Sequence, residues 1–191
     1  GTVDSTFDLK NNGSPTAGRV ECPRTDFGLF FSNRLIVPQP SDSAYTVIMS
    51  DLLDTDNFYT AESQFRINKG TADFLVGFQP YLENQLLVFF RNSIHLINNV
   101  ATTSAAAVFE ITRQRGCVAR KSVAASGPQY YFLSDDGVFT LQQGLDPSKG
   151  LGVAISKVSG EAIPLSRPIQ DQFKDVNYAH ADKSCGIVFD N

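Results

Sequence analysis

The chain has 191 residues, enough for one domain or two small ones, with 42% hydrophobic and 19% charged residues and a net charge of −4. That balance excludes a long disordered chain, and it leaves no global basic field for nucleic acid or anionic lipid. No apolar run approaches the ~20 residues needed to span a bilayer as a helix.

Residues 1–24 are polar and rich in Gly, Asn and Ser, and read as a loop or extended arm. From residue 25 onward the pattern is that of strands, supplied by 15 Phe, 6 Tyr and many Val and Ile. The stretch DFGLFFSNRLIVP holds two apolar runs broken by Ser32 and Asn33, and Pro38 stops the second. A return strand follows in TVIMSD, Thr46 to Asp51. A single helical turn is expected between Asp51 and Phe58, where the acids can cap it.

The next hairpin is NQLLVFFRNSIHLI, Asn84 to Ile97. Leu86, Val88 and Phe90 face one way and Leu87 and Phe89 the other, so this strand is apolar on both faces and needs a layer on each side. Arg91-Asn92 is its turn, with Asn92 suited to a positive φ. Ala101 to Ala107 is small and polar, a loop or edge strand. A third hairpin, QYYFLSDDGVFTL, spans Gln129 to Leu141, with Asp135, Asp136 and Gly137 as a tight turn in which Gly137 takes a positive φ. Pro168 to Asp175 carries the best helix signal, with Pro168 at a first helical position. A weaker fourth copy of the hairpin runs from Asn177 to Asp190, ending in a strand at CGIVFDN.

These units start at Asn33, Asn84, Gln129 and Asn177, an interval of about 45–50 residues. A strand-built repeat of that length is the signature of propeller blades. The fold expected is all-β: a β-propeller of stacked antiparallel blades over residues 25–191. With polar residues at one end and a strand at the other, four units make an incomplete propeller, part of a larger one.

Residues that could carry chemistry are few. The three cysteines, Cys22, Cys117 and Cys185, are widely spaced with no CxxC or Cys/His cluster, and read as reduced thiols rather than zinc ligands. Cys117 precedes Arg120 and Lys121, cations that would lower a neighbouring thiol pKa, yet no local base accompanies it and a half-buried structural role is expected. Asp51, Asp54 and Asp56 lack the central Gly and twelfth-position Glu of a calcium loop, so turn formation is expected and no metal. His95 sits in an apolar strand as a packed core histidine, and no G-x-S-x-G elbow presents a serine to it or to His180. The run RQRGCVARK holds Arg113, Arg115, Arg120 and Lys121, a basic contact patch for protein or phosphate without the interleaved aromatics of a single-strand platform. Ser134 to Leu141 only partly matches the Asp-box S-x-D-x-G-x-T-W, and no spaced acid pair for glycoside hydrolysis can be named. No phosphate-binding glycine loop occurs. No catalytic residue, cofactor or metal is therefore assigned.

The order of segments resembles the β-propeller part of the tail nozzle, or tail-tube-closing, family of short-tailed bacteriophages. The resemblance is carried by Ser50-Asp51, Phe65-Arg66-Ile67, Ser93 to Ile97, Gly116-Cys117-Val118 and Phe132 to Gly137, within Asp26 to Asn191. It implies a non-enzymatic structural virion protein, made in the host bacterial cytoplasm. It further implies a six-fold ring with copies of itself, adaptor or fibre proteins as neighbours, and transient passage of DNA. Members of that family are several times longer, and their further blades and platform domain have no counterpart here. The alternative is a carbohydrate-binding or glycoside-hydrolase-like propeller, although the absence of Trp removes the commonest sugar-stacking platform. A protein-interaction propeller of the WD or kelch type lacks its signature residues.

Overall fold

A computed structural model of the chain describes residues 19–39, 45–55, 57–59, 62–127, 129–146, 150–155, 157–158 and 161–189. Most of the expected N-terminal arm, residues 1–18, and Asp56, Asp190 and Asn191 lie outside the described residues. The fold is all-β, built of several antiparallel sheets with short helical turns. No helix among the described residues is long and apolar enough to cross a membrane. Two compact units are distinguished: Gly1–Ala72 with Pro80–Leu86 and Ile97–Val108, and Asp73–Gln79 with Leu87–Leu96 and Phe109–Asn191.

The first four-stranded sheet has the order β2-β3-β4-β6, from Leu29–Phe31, Arg34–Pro38, Thr46–Met49 and Gln64–Arg66. Ser32 and Asn33 have φ of 51° and 58°. A two-residue turn with positive φ at both positions matches the twist of the strands it joins, which is why this hairpin closes without glycine. Val37, Ile48 and Phe58 make a buried cluster with Leu35 against it. Phe58 lies on β5, Asn57–Tyr59, which pairs with β1, Arg19–Glu21. Residues 19–21 are thus a strand rather than loop. A three-residue strand is too short to leave a period-two pattern, and only its pairing defines it.

The second four-stranded sheet runs β7-β8-β9-β10, from Leu75–Tyr81, Gln85–Phe90, Ile94–Asn98 and Ala107–Thr112. Leu86 through Phe90 are fully buried, as the two-faced apolar pattern requires. Pro80 sits in β7, an edge strand, where its missing N–H is tolerated. Asn92 is not among the residues with positive φ, contrary to expectation. Its turn is held from outside: the Asn92 N–H donates to Asp73 Oδ1 at 2.8 Å, so no left-handed residue is needed.

The third sheet has the order β11-β12-β13-β14, from Ala124–Ser126, Gln129–Ser134, Gly137–Asp146 and Gly150–Ile155. Its central hairpin pairs Ser134 with Gly137, leaving Asp135 and Asp136 as the loop. Gly137 has φ of 125°, as expected, while neither Asp does, so the turn is not of the primed type. A small ribbon, β15 (Lys157–Val158) with β16 (Glu161–Ala162), follows. The helix expected over Pro168 to Asp175 is a 3₁₀ turn, Arg167–Ile169, leading into a short α1, Gln170–Phe173.

Two expectations fail. Between Asp51 and Asp54 there is a β-bridge with Leu53 at φ 60°, not a helical turn. The fourth hairpin copy is absent: Tyr178–Lys183 is a 3₁₀ helix, and residues 184–189 contain no strand. Asn177 accepts the Ala179 N–H on its side chain, and this cap starts the helix. The capping asparagine and the Ala-His-Ala-Asp run outweigh a weak apolar pattern.

Candidate functional site

Two groups singled out in the sequence come together in the second unit: the β12–β13 turn and the basic run. Arg115 pairs with Asp136 at 2.6 Å, and its guanidinium lies 5.6 Å from the centre of the Phe139 ring. Arg91 grips Asp135 with both terminal nitrogens, one at 2.8 Å. Arg91 was not legible as part of this cluster, because 44 residues separate it from Asp135. Arg113 pairs with Glu110 on its own strand end. Arg120 packs its side chain over Gly77, where an added Cβ would come within 2.7 Å of it. Lys121 is exposed. The basic run is therefore dispersed, and two of its arginines are neutralised by carboxylates. Such half-exposed ion pairs contribute about 0–1 kcal/mol each; their effect is to fix the turn rather than to stabilise the fold.

Beneath the turn is an aromatic stack. Phe132 lies 5.7 Å from Phe89 and 6.0 Å from Phe139, all fully buried. Gly116 crosses against the backbone of Phe90 and Arg91, and Cys117 donates its N–H to the Phe90 carbonyl at 2.8 Å. A Cβ on Gly116 would fall 2.3 Å from that carbonyl oxygen, so only glycine allows the approach.

Cys117 is fully buried, beyond the half-buried state expected. Its thiol donates to the Ala119 carbonyl at 3.1 Å. Burial pushes its pKa up, opposed by the Ser122 hydroxyl, the Ala119 backbone and the nearby Arg91. The depression by Arg120 and Lys121 entertained from the sequence does not occur: desolvation outweighs neighbouring charge. Cys117 is packed in the interior, in surroundings that disfavour its thiolate. Cys22 and Cys185 are exposed.

His95 belongs to a buried chain of polar groups. Ser93 Oγ donates to Asp73 Oδ2 at 2.6 Å and lies 3.1 Å from His95 Nε2. A carboxylate only accepts, so the single Ser93 proton goes to Asp73, and Nε2–H of His95 is the donor to Ser93. Nucleophilic catalysis needs the histidine between serine and acid, with the serine exposed. Here the serine is central and buried, so this chain of groups locks the β8–β9 turn. The ring also meets Phe90 edge-on at 5.4 Å. Burial lowers the His95 pKa most; Arg113 lowers it further, while Glu110 and Asp73 oppose. His180 lies exposed on the Tyr178–Lys183 turn.

Asp54 accepts from Asn57 Nδ2 at 2.6 Å, as a turn-forming acid does. Among the described residues, no three His, Cys, Asp or Glu side chains converge as metal ligands. An open cavity of about 410 Å³ is lined by β11, by Tyr131 and Leu133, and by Ser184 to Val188. Its walls are apolar with scattered serine hydroxyls and carry no charged group. No family model matches the chain, and no curated protein is significantly similar to it.

Proposed function

We propose that this chain is a non-enzymatic structural protein of a bacteriophage tail, in which β-propeller blades form a rigid wall around the distal conduit. The observation that supports this reading is the succession of three four-stranded sheets, each an up-and-down run of neighbouring strands, interrupted only by β5 in the first. A four-stranded meander is the blade unit of a propeller, and stacked blades resist deformation because each buries both faces. Polar groups with unusual environments serve packing here: His95 and Cys117 are sealed, and the carboxylates of the β12–β13 turn are engaged by arginines. The segments that carry the likeness to the nozzle family fall on these elements, with Gly116-Cys117-Val118 at the close backbone crossing and Phe132 to Gly137 on the central hairpin of the third sheet. In this reading copies of the chain assemble in a six-fold ring beside adaptor or fibre proteins, and DNA passes through transiently.

Electron microscopy of purified particles and of the isolated protein tests the proposal. The expected result is a six-fold ring at the distal tail that binds antibody raised against this chain. Glycan cleavage that is lost on substituting one acidic residue would overturn it in favour of the carbohydrate-active reading.

A further inference from the structure

The two faces of the third sheet differ. Alternation along each strand, with the pairings of Ala124 with Tyr131 and of Leu133 with Val138, places Ala124, Ser126, Tyr131, Leu133 and Val138 on one face. Phe132 and Phe139 take the opposite face, where both are fully buried. On the first face Tyr131, Leu133 and Val138 are only half-buried. The extended segment from Ser184 to Val188 lies across from it, and the two enclose the open cavity of about 410 Å³. The Gly186 N–H donates to the Lys121 carbonyl at 2.9 Å, and a Cβ on Gly186 would fall 2.7 Å from the Ser122 carbonyl oxygen. The segment is thus fixed at one closely fitted point that only glycine allows.

The walls define what the cavity can hold. No lining residue carries a charge, so an ion entering it would lose hydration with nothing to replace it. The apolar lining includes Tyr131, Leu133, Val138, Ile187 and Val188. The Tyr131 hydroxyl donates to Gln129 Oε1 at 2.7 Å, which fixes the ring in the wall. Ser122 is already engaged: its hydroxyl donates to the Ala119 carbonyl at 2.7 Å and accepts the Leu133 N–H at 3.2 Å. The hydroxyls of Ser126 and Ser184 bond to no other described residue, and each can donate to or accept from a guest. An apolar cavity of this volume with a few neutral polar groups has the make-up of a small-molecule site.

We infer that this cavity binds a neutral, largely apolar small molecule that carries a carbonyl or hydroxyl group. Its apolar body lies between the Tyr131, Leu133 and Val138 face and the Ile187–Val188 wall, and its polar group meets the Ser126 or Ser184 hydroxyl. Burial of the apolar body supplies the affinity, and the hydroxyls set the orientation. The inference is independent of the tail reading, since every residue it uses belongs to the second unit and none was invoked for assembly.

The probe is a neutral naphthyl ketone dye whose emission shifts to the blue in apolar surroundings, compared with an anionic naphthalene sulfonate dye. The neutral dye should bind the 191-residue chain saturably with a Kd below about 1 mM, and at least about tenfold more tightly than the sulfonate. Cys185 lines the cavity and Cys22 does not, while both are exposed. Bound dye should therefore slow iodoacetamide labelling of Cys185 and leave that of Cys22 unchanged. Ser126 is exposed on a short edge strand, so S126F fills the cavity from its margin without entering the core. This variant should melt as the parent does and bind the neutral dye at least about tenfold more weakly. Should S126F melt lower, protection of Cys185 in the parent decides alone. Absence of saturable binding, or binding that leaves Cys185 labelling unchanged, overturns the site. An S126F protein that melts like the parent and binds as tightly also overturns it, and equal affinity for the two dyes overturns the neutral class of guest. None of these results bears on the tail reading.

Discussion

Replacing Gly137 by alanine probes the junction on which the third sheet closes. The residue holds φ of 125°, and a Cβ there would lie 2.1 Å from Ser166 Oγ. That hydroxyl accepts the Val138 N–H at 3.1 Å, and the Leu165 N–H donates to the Val138 carbonyl at 2.7 Å, so residues 164–166 are docked on β13 at this point. An L-residue forced into this backbone region costs about 1–2 kcal/mol. Displacing Ser166 adds about 1 kcal/mol for the lost hydrogen bond. The sum, about 2–3 kcal/mol, lowers the melting temperature of a domain this size by about 4–12 °C. Urea and thermal denaturation should both show it. G70A is the control: Gly70 has φ of 83° with nothing within 4 Å of an added Cβ, so only the backbone part, about 1–2 kcal/mol, should appear. Combining G137A with S166A removes the clashing atom, so the pair should cost less than the sum of the singles by about 1 kcal/mol. A G137A protein within about 0.5 kcal/mol of the parent, or strict additivity with S166A, would refute the reasoning.

Gly116→Ala drives a methyl group into the Phe90 carbonyl and should cost about 1–3 kcal/mol by chemical denaturation. Phe132→Ala empties the centre of the Phe89–Phe132–Phe139 stack and should cost about 3–5 kcal/mol in the same assay. Because burial holds the His95 pKa below its usual 6.5, the unfolded chain takes up that proton first as pH falls. Its stability contribution is therefore whole above pH 6.5 and is lost as pH drops towards the folded-state value; melting curves of H95Q should show a shallower slope in that window. Iodoacetamide should label Cys22 and Cys185 quickly under native conditions and Cys117 only as fast as the structure opens, which peptide mass spectrometry resolves.

Local chemistry made three hairpins legible. Gly137 is a turn residue with a backbone reason, its positive φ, and Leu86 to Phe90 can be a strand only if covered on both faces. Those signals act over a few residues, so composition and periodicity suffice to find them. The same logic misread Asn177 to Asp190, because a weak apolar alternation carries less energy than one good helix cap, and it misread Asn92, whose conformation follows from a carboxylate 19 residues away. Tertiary structure alone decided that Asp73, Ser93 and His95 form one buried chain, that Arg91 and Arg115 converge on the β12–β13 turn, and that Leu53 and Leu82 are exposed at positive φ. Each of these depends on sheet register and on which strands are neighbours. Register turns on a one-residue difference that flips every side chain to the other face, and the pairing energy that selects it comes from residues far apart in the chain.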